Sequence, residues 1–179
     1  KTARWGNASG SLGMLAAIAA TLIAVQIERI DLVVMAIAVG SLIGVPIAMK
    51  LSMTSVPQRT AMSHAFGSLA VALIGTAEYL QRLPEISHFD AIVLTSEMVL
   101  GYLTFTGSVI AFLKLQEILP GRPFIYRGKN WVSGGVLAAI TVAAFGLVAD
   151  PGQSAWLPVL VVGALTFGFL LVMGIGGAD

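Results

Sequence analysis

His64 lies in the run Pro57-Gln58-Arg59-Thr60-Ala61-Met62-Ser63-His64-Ala65-Phe66-Gly67-Ser68-Leu69-Ala70, where an otherwise apolar stretch takes on one ionisable ring. Imidazole titrates near neutral pH. Desolvation favours its neutral form and a nearby acceptor or anion favours the charged one, so a membrane histidine could alternate between them and carry a proton. The alternative is a structural histidine bonded to a carbonyl or hydrated at the membrane interface. Ionisable groups inside spans usually mark pathways or relays, which favours the first reading. Ser63 and Ser68 are polar neighbours. Ser68, four residues on and on the same helical face, could help to hold a water beside the ring.

Glu97 is the second ionisable group set within an apolar stretch. A carboxyl there stays protonated unless it meets water or a cation, so it could pass protons inward, or it could snorkel to a nearby interface. Further along, Thr104, Thr106 and Ser108 form a hydroxyl run. Hydroxyls donate and accept, which suits a water-mediated relay, but they also bond their own helix carbonyls for structural reasons. His88 falls in a charged connection and reads as an ordinary solvated histidine. Gly174-Ile175-Gly176-Gly177-Ala178-Asp179 reads as a hinge-like end. It lacks the strand, following helix and GxGxxG spacing of a nucleotide loop. No HExxH, paired-carboxylate or Ser-His-Asp pattern occurs, so the chain alone carries no hydride or acyl chemistry.

The elements that position these residues follow from composition. Hydrophobic residues make up 57% of the chain and charged residues 11%, with a mean hydropathy of +0.92. Ordinary soluble domains have roughly 45–50% apolar and about 25% charged residues. This is the composition of an integral membrane protein. A net charge of +1 without clustered basic and aromatic residues excludes nucleic-acid binding. Cysteine is absent, which removes disulfides and thiolate chemistry.

A helix crosses a bilayer with roughly 20 mostly apolar residues. Six stretches qualify: 9–27, 32–49, 57–77, 91–113, 131–149 and 154–174. The fold class is therefore an all-α polytopic bundle of six transmembrane helices; period-two alternation, the mark of a barrel, is absent. Lys1, Arg4, Lys50, Arg59, Lys114, Arg122, Arg127 and Lys129 fall on one side of the predicted topology, and Arg29 and Arg82 on the other. The positive-inside rule then places both ends in the cytoplasm and the loops around Glu28–Asp31 and Glu78–Asp90, with Asp150, outside. Ser55 and Pro57 predict the start of span three, and Pro46 and Pro158 predict kinks. Ser9, Gly13 and Ala17, and Gly40 and Gly44, recur at four-residue spacing and predict close helix packing. The chain starts at Lys1 without a methionine or a signal-peptide pattern and stops in a glycine run, so it is read as an internal piece of something longer.

Several runs in order resemble one family, the beta subunit of the proton-translocating NAD(P) transhydrogenases, in its membrane domain. These are Gly6-Asn7 with Gly13-Met14 and Ala20-Thr21; Met53-Thr54 with Pro57; Ser63-His64-Ala65-Phe66-Gly67 with Leu69-Ala70; Phe105-Thr106-Gly107-Ser108-Val109-Ile110-Ala111-Phe112 with Lys114-Leu115-Gln116; and Ile175-Gly176-Gly177-Ala178-Asp179. The resemblance covers nearly the whole chain. It implies that residues 1–179 form a partial proton-conducting domain, and that NADH and NADP+ exchange a hydride in attached soluble domains. NADP and NAD would bind in those domains and no cofactor in this piece. His64 then matches the family's proton-relay histidine, Ser108 a hydroxyl on a neighbouring helix, and Asp179 an acid at the junction with the NADP(H)-binding domain expected beyond residue 179. Glu97 is the candidate for proton entry from the outer face. Implied partners are the alpha subunit with its NAD(H)-binding domain, the NADP(H)-binding domain of the same subunit, the lipid bilayer and a second copy of the complete enzyme as a homodimer. The implied location is a bacterial cytoplasmic (inner) membrane or a mitochondrial inner membrane. A secondary transporter or channel fragment for a small solute, and a structural membrane anchor, are the competing readings. The first would require an inverted repeat, which is not visible, and the second would tolerate loss of His64.

Overall fold

The structure is a computed structural model that describes residues 2–24, 29–50 and 55–176. Its helices are α1 (Thr2–Ala24), α2 (Ile30–Lys50), α3 (Val56–Gln81), α4 (His88–Leu115), α5 (Lys129–Ala149) and α6 (Trp156–Met173), and the described residues contain no strand. All six are long and apolar enough to cross a membrane. The helices overrun several of the apolar spans. α1 starts seven residues ahead of the span predicted from Ser9, and α3 and α4 extend past both ends of theirs. An apolar span measures the hydrocarbon layer, whereas a helix keeps its backbone bonds on into the interface. The predicted end of span one, at residues 25–27, lies outside the described residues.

The chain divides into two units, Lys1–Leu51 and Ser52–Asp179. In the first, α1 and α2 bury none of their most apolar windows. The hydroxyls of Ser9, Ser11 and Thr21 donate to the carbonyls of Trp5, Asn7 and Ala17 on their own helix, which removes unpaired polar atoms from an apolar surface. Within this unit a Cβ on Gly13, Gly40 or Gly44 would meet nothing within 4 Å, so the packing expected of them is not made between α1 and α2.

In the second unit α4 is the central helix, packed on α3, α5 and α6. Its start is well specified. Ser87 accepts a bond from the Asp90 amide at 3.1 Å and donates to the Asp90 carboxylate at 2.8 Å, satisfying one of the free donors at the helix N-terminus. The core joins Ala72 and Tyr79 of α3, Leu94, Met98 and Tyr102 of α4, Ala143 and Leu147 of α5, and Leu160 and Ala164 of α6. Close approaches fall at other glycines than those singled out in the sequence. A Cβ on Gly101 would lie 2.8 Å from the Ala72 Cβ and 2.9 Å from the Ser68 carbonyl oxygen, so α3 and α4 touch backbone to backbone. Gly168 of α6 rests in the same way on the Leu103 carbonyl and the Thr106 hydroxyl of α4. Without a strong hydrophobic drive between helices in lipid, such contacts of small residues are a main source of association.

Two proline expectations resolve differently. Pro46 lies inside a continuous α2. Pro158 is in the first turn of α6, because the helix begins at Trp156 rather than Ser154; its missing amide proton costs nothing there and no kink is required. Ser55 occupies the N-cap position of α3 with Pro57 in the first turn, but its side chain makes no capping bond.

Candidate functional site

His64 is eight residues into α3, about 12 Å along the axis at 1.5 Å per residue. Its side chain is on an exposed face of the helix, one position from buried Ala65. Ser68 does not serve the ring as predicted. Its hydroxyl is 2.7 Å from the His64 carbonyl oxygen and 3.0 Å from that of Ala65, so its proton goes to the backbone. Among the described residues the imidazole has no hydrogen-bond partner. Both ring nitrogens are available.

Glu97 is half-buried against α3. A Cβ on Gly75 would stand 3.3 Å from both Cγ and Cδ of Glu97, so the carboxyl-bearing arm lies over this glycine. The glycine makes room for it. Gly101 opposite Ala72 and Glu97 opposite Gly75 define an antiparallel register between α3 and α4. Two turns toward the start of α3, the same register sets Ser108 opposite Ala65, at the depth of His64. His64 and Ser108 are thus brought to one level on adjacent helices. Glu97 is not, being level with a residue eleven positions from His64, about 16 Å along the axis. Any transfer between the two ionisable groups has to be relayed.

The hydroxyls divide by role. Thr106 donates to the Leu165 carbonyl of α6 at 2.9 Å, with the Tyr102 carbonyl of its own helix at 3.1 Å, so it ties α4 to α6. The structural alternative holds for Thr106. Thr104 and Ser108 are half-buried and make no hydrogen bond among the described residues. Thr76 of α3 donates to Ala72 O at 2.7 Å and meets the Tyr102 hydroxyl of α4 at 3.0 Å; with its own proton committed, it accepts from the tyrosine. Side chains on a helix lean toward its N-terminus, which carries the Tyr102 hydroxyl back to the level of Glu97. The Thr76–Tyr102 pair was not anticipated, although two polar side chains within adjacent apolar spans were its signal. Nor was Thr95, whose buried hydroxyl has no partner among the described residues.

His88 is not merely a solvated loop residue. It is the first residue of α4, exposed, with Nδ1 3.1 Å from the Val148 carbonyl of α5. Since a carbonyl only accepts, Nδ1 carries the proton in this bond. Lys114, counted above with the charges of a connection, is instead in the last turn of α4 and is buried. Asp179 lies outside the described residues, as do Gly177 and Ala178. No group of three or more histidine, aspartate and glutamate side chains fit to hold a metal occurs among the described residues.

The ends of the second unit differ in charge. Gln58 of α3 bonds the Leu115 carbonyl of α4, and Lys129 of α5 bonds the Gly174 carbonyl after α6, so these four termini share one end with Arg59, Lys114, Arg122, Arg127 and Lys129. Tyr79 near the end of α3 bonds the Leu147 carbonyl near the end of α5 at 2.7 Å, at the other end, where Arg82 pairs with Glu78 and Asp90.

Six apolar helices, carrying a histidine, a carboxylate and hydroxyls within the spans, define a polytopic all-helical integral membrane protein. Comparison with known proteins makes the assignment specific. The chain belongs to the NAD(P) transhydrogenase beta subunit family, whose model matches residues 1–179. Two relatives from Rhodospirillum rubrum, each named NAD(P) transhydrogenase subunit beta, are 34% identical over 188 residues. The alignment takes in all of this chain and 40% of each relative, so the chain spans less than half their length.

Proposed function

We propose that this chain is a proton-conducting part of the membrane domain of an NAD(P) transhydrogenase, with His64 as the residue that holds and releases the proton. The observation that carries the reading is an unpartnered imidazole about 12 Å inside a membrane helix, level with the Ser108 hydroxyl of the adjacent helix. An ionisable side chain at such a position is expensive and is kept for a pathway or relay. Glu97, with the Thr76–Tyr102 pair at its level, offers exchangeable protons nearer the opposite end of the bundle, and water or further side chains relay them along α3.

The end of the unit rich in Lys and Arg faces the cytoplasm in this reading, and Glu97 lies toward the outside. Hydride passes between NADH and NADP+ in soluble domains of the enzyme, which also bind these nucleotides. The alpha subunit, the NADP(H)-binding domain of the same subunit and a second copy of the enzyme are the partners, in a bacterial or mitochondrial inner membrane. Nucleotide occupancy acts on the membrane bundle through the chain around Asp179, changing the side to which His64 is open. By linkage, the proton gradient must shift nucleotide affinity by the same factor in return.

The test is proton uptake into inside-out vesicles that carry the complete enzyme, driven by NADPH and an NAD+ analogue. His64→Ala, assembled to wild-type levels, is expected to abolish acidification while nucleotide still binds. Undiminished pumping by the variant would sink the relay assignment.

A further inference from the structure

The C-terminal end of α6 is held from outside by three separate pieces of the chain. Lys114 Nζ, on the last turn of α4, donates to the Val172 carbonyl at 2.9 Å and the Ile175 carbonyl at 2.6 Å. The Phe124 amide, in the α4–α5 connection, donates to the Met173 carbonyl at 2.8 Å. Lys129 Nζ, at the start of α5, donates to the Gly174 carbonyl at 3.1 Å. Each of the four consecutive carbonyls from Val172 to Ile175 therefore accepts from a donor on another part of the chain, and Val172 also accepts from the Ile175 amide at 3.2 Å.

A helix end at a membrane surface can have its last carbonyls satisfied by water or a glycine cap. Here a lysine is used that is only 7% exposed, and no carboxylate is within ion-pair distance of it among the described residues. Burying an ammonium costs several kcal/mol unless it is compensated. The compensation is the negative end of the α6 dipole together with two direct carbonyl bonds, so the charge of Lys114 is satisfied only while α6 ends where it does. Beside the clamp is a cavity of about 440 Å³, lined by Lys114, Glu117, Gly121, Ile175 and Gly176. Ile175 and Gly176 border this cavity where the chain leaves α6.

From this we infer that Lys114, assisted by Lys129, is a positioning residue for energy coupling: it sets where the chain leaves α6 and thereby transmits movement between the end of α6, from Val172 to Ile175, and the central helix α4, which also carries Ser108. The inference rests on the proton-coupling reading above. α4 packs on α3, the helix of His64, so a displacement of the α6 exit pulls on the helix that faces the proposed relay. A two-state element of this kind needs discrete bonds that hold one state, and the bonds from Lys114, Phe124 and Lys129 supply them.

The experiment uses the complete enzyme in vesicles. In an enzyme whose cysteines outside these 179 residues are replaced, Ile175→Cys supplies one thiol for a spin label, at an exposed position whose carbonyl still accepts from Lys114. Lys114→Met is then compared with native lysine for label mobility and for protons moved per hydride transferred. The expected result is a more mobile label and a clear loss of protons moved per hydride transferred. A mobile label with an unaltered ratio would overturn the coupling role, and an unaltered label would overturn the clamp. Should Lys114→Met fail to assemble, Lys129→Met, which removes only the Gly174 bond, is read by the same two outcomes with a smaller drop expected. If His64→Ala pumps normally, it is the relay assignment that fails, and the label still reports on the clamp.

Discussion

Thr95 and His64 show two different ways in which a polar side chain occurs in an apolar helix. Thr95 is buried, 3% exposed, and its hydroxyl finds no acceptor among the described residues, which leaves a polar group uncompensated there. Valine has the same shape without that group. Thr95→Val is expected to raise stability by about 1 kcal/mol, read as a higher unfolding midpoint of the purified protein in detergent; a lowered midpoint would mean that the hydroxyl is bonded in the folded protein. His64 keeps both nitrogens free on an exposed face, where a stabilising role would leave them bonded. It was legible in the sequence because a charge-capable ring in an apolar run stands out by type alone. Lys114 was not, since a lysine near the end of a span looks the same in sequence whether it faces water or closes the end of another helix.

At the scale of elements, the register between α3 and α4 decides which site residues meet, and two glycines hold it. Gly75 makes room for the arm of Glu97, and Gly101 lets the backbones touch. Gly101→Ala places a methyl 2.9 Å from the Ala72 backbone nitrogen and the Ser68 carbonyl oxygen, which cannot move aside without separating the helices. The expected cost is about 1–3 kcal/mol, measured by denaturant unfolding in detergent. Gly67→Ala on the same pair of helices meets nothing within 4 Å and is expected to be neutral or slightly stabilising, so equal effects of the two substitutions would refute the register. Four-residue spacing at Gly13, Gly40 and Gly44 marks glycines able to form such a contact, and between α1 and α2 they form none.

Over the whole molecule, charge asymmetry carries the argument for orientation. Arg59, Lys114, Arg122, Arg127 and Lys129 gather at one end of the second unit, and the acidic Glu78, Glu85, Asp90 and Asp150 at the other. No cysteine occurs in these 179 residues, so single ones placed in them report on orientation once any elsewhere in the enzyme are replaced. In intact cells a membrane-impermeant thiol reagent is expected to label Glu85→Cys, between α3 and α4, and to reach Arg122→Cys, between α4 and α5, only after permeabilisation. The opposite pattern would invert the proposed proton path, with Glu97 then toward the cytoplasm.

What the sequence by itself determined was the all-helical, membrane-spanning class, the six helices to within several residues at their ends, and the identity of the ionisable groups inside them. These are consequences of composition and run length, because a bilayer imposes both on any chain that crosses it. The tertiary structure alone decided that Ser108 reaches the level of His64 while Glu97 remains about two-fifths of α3 away, that Ser68 and Thr106 serve backbone carbonyls, and that Lys114 closes the end of α6. Each depends on the register and rotation of one helix against another, set by contacts between residues tens of positions apart, which no local pattern encodes.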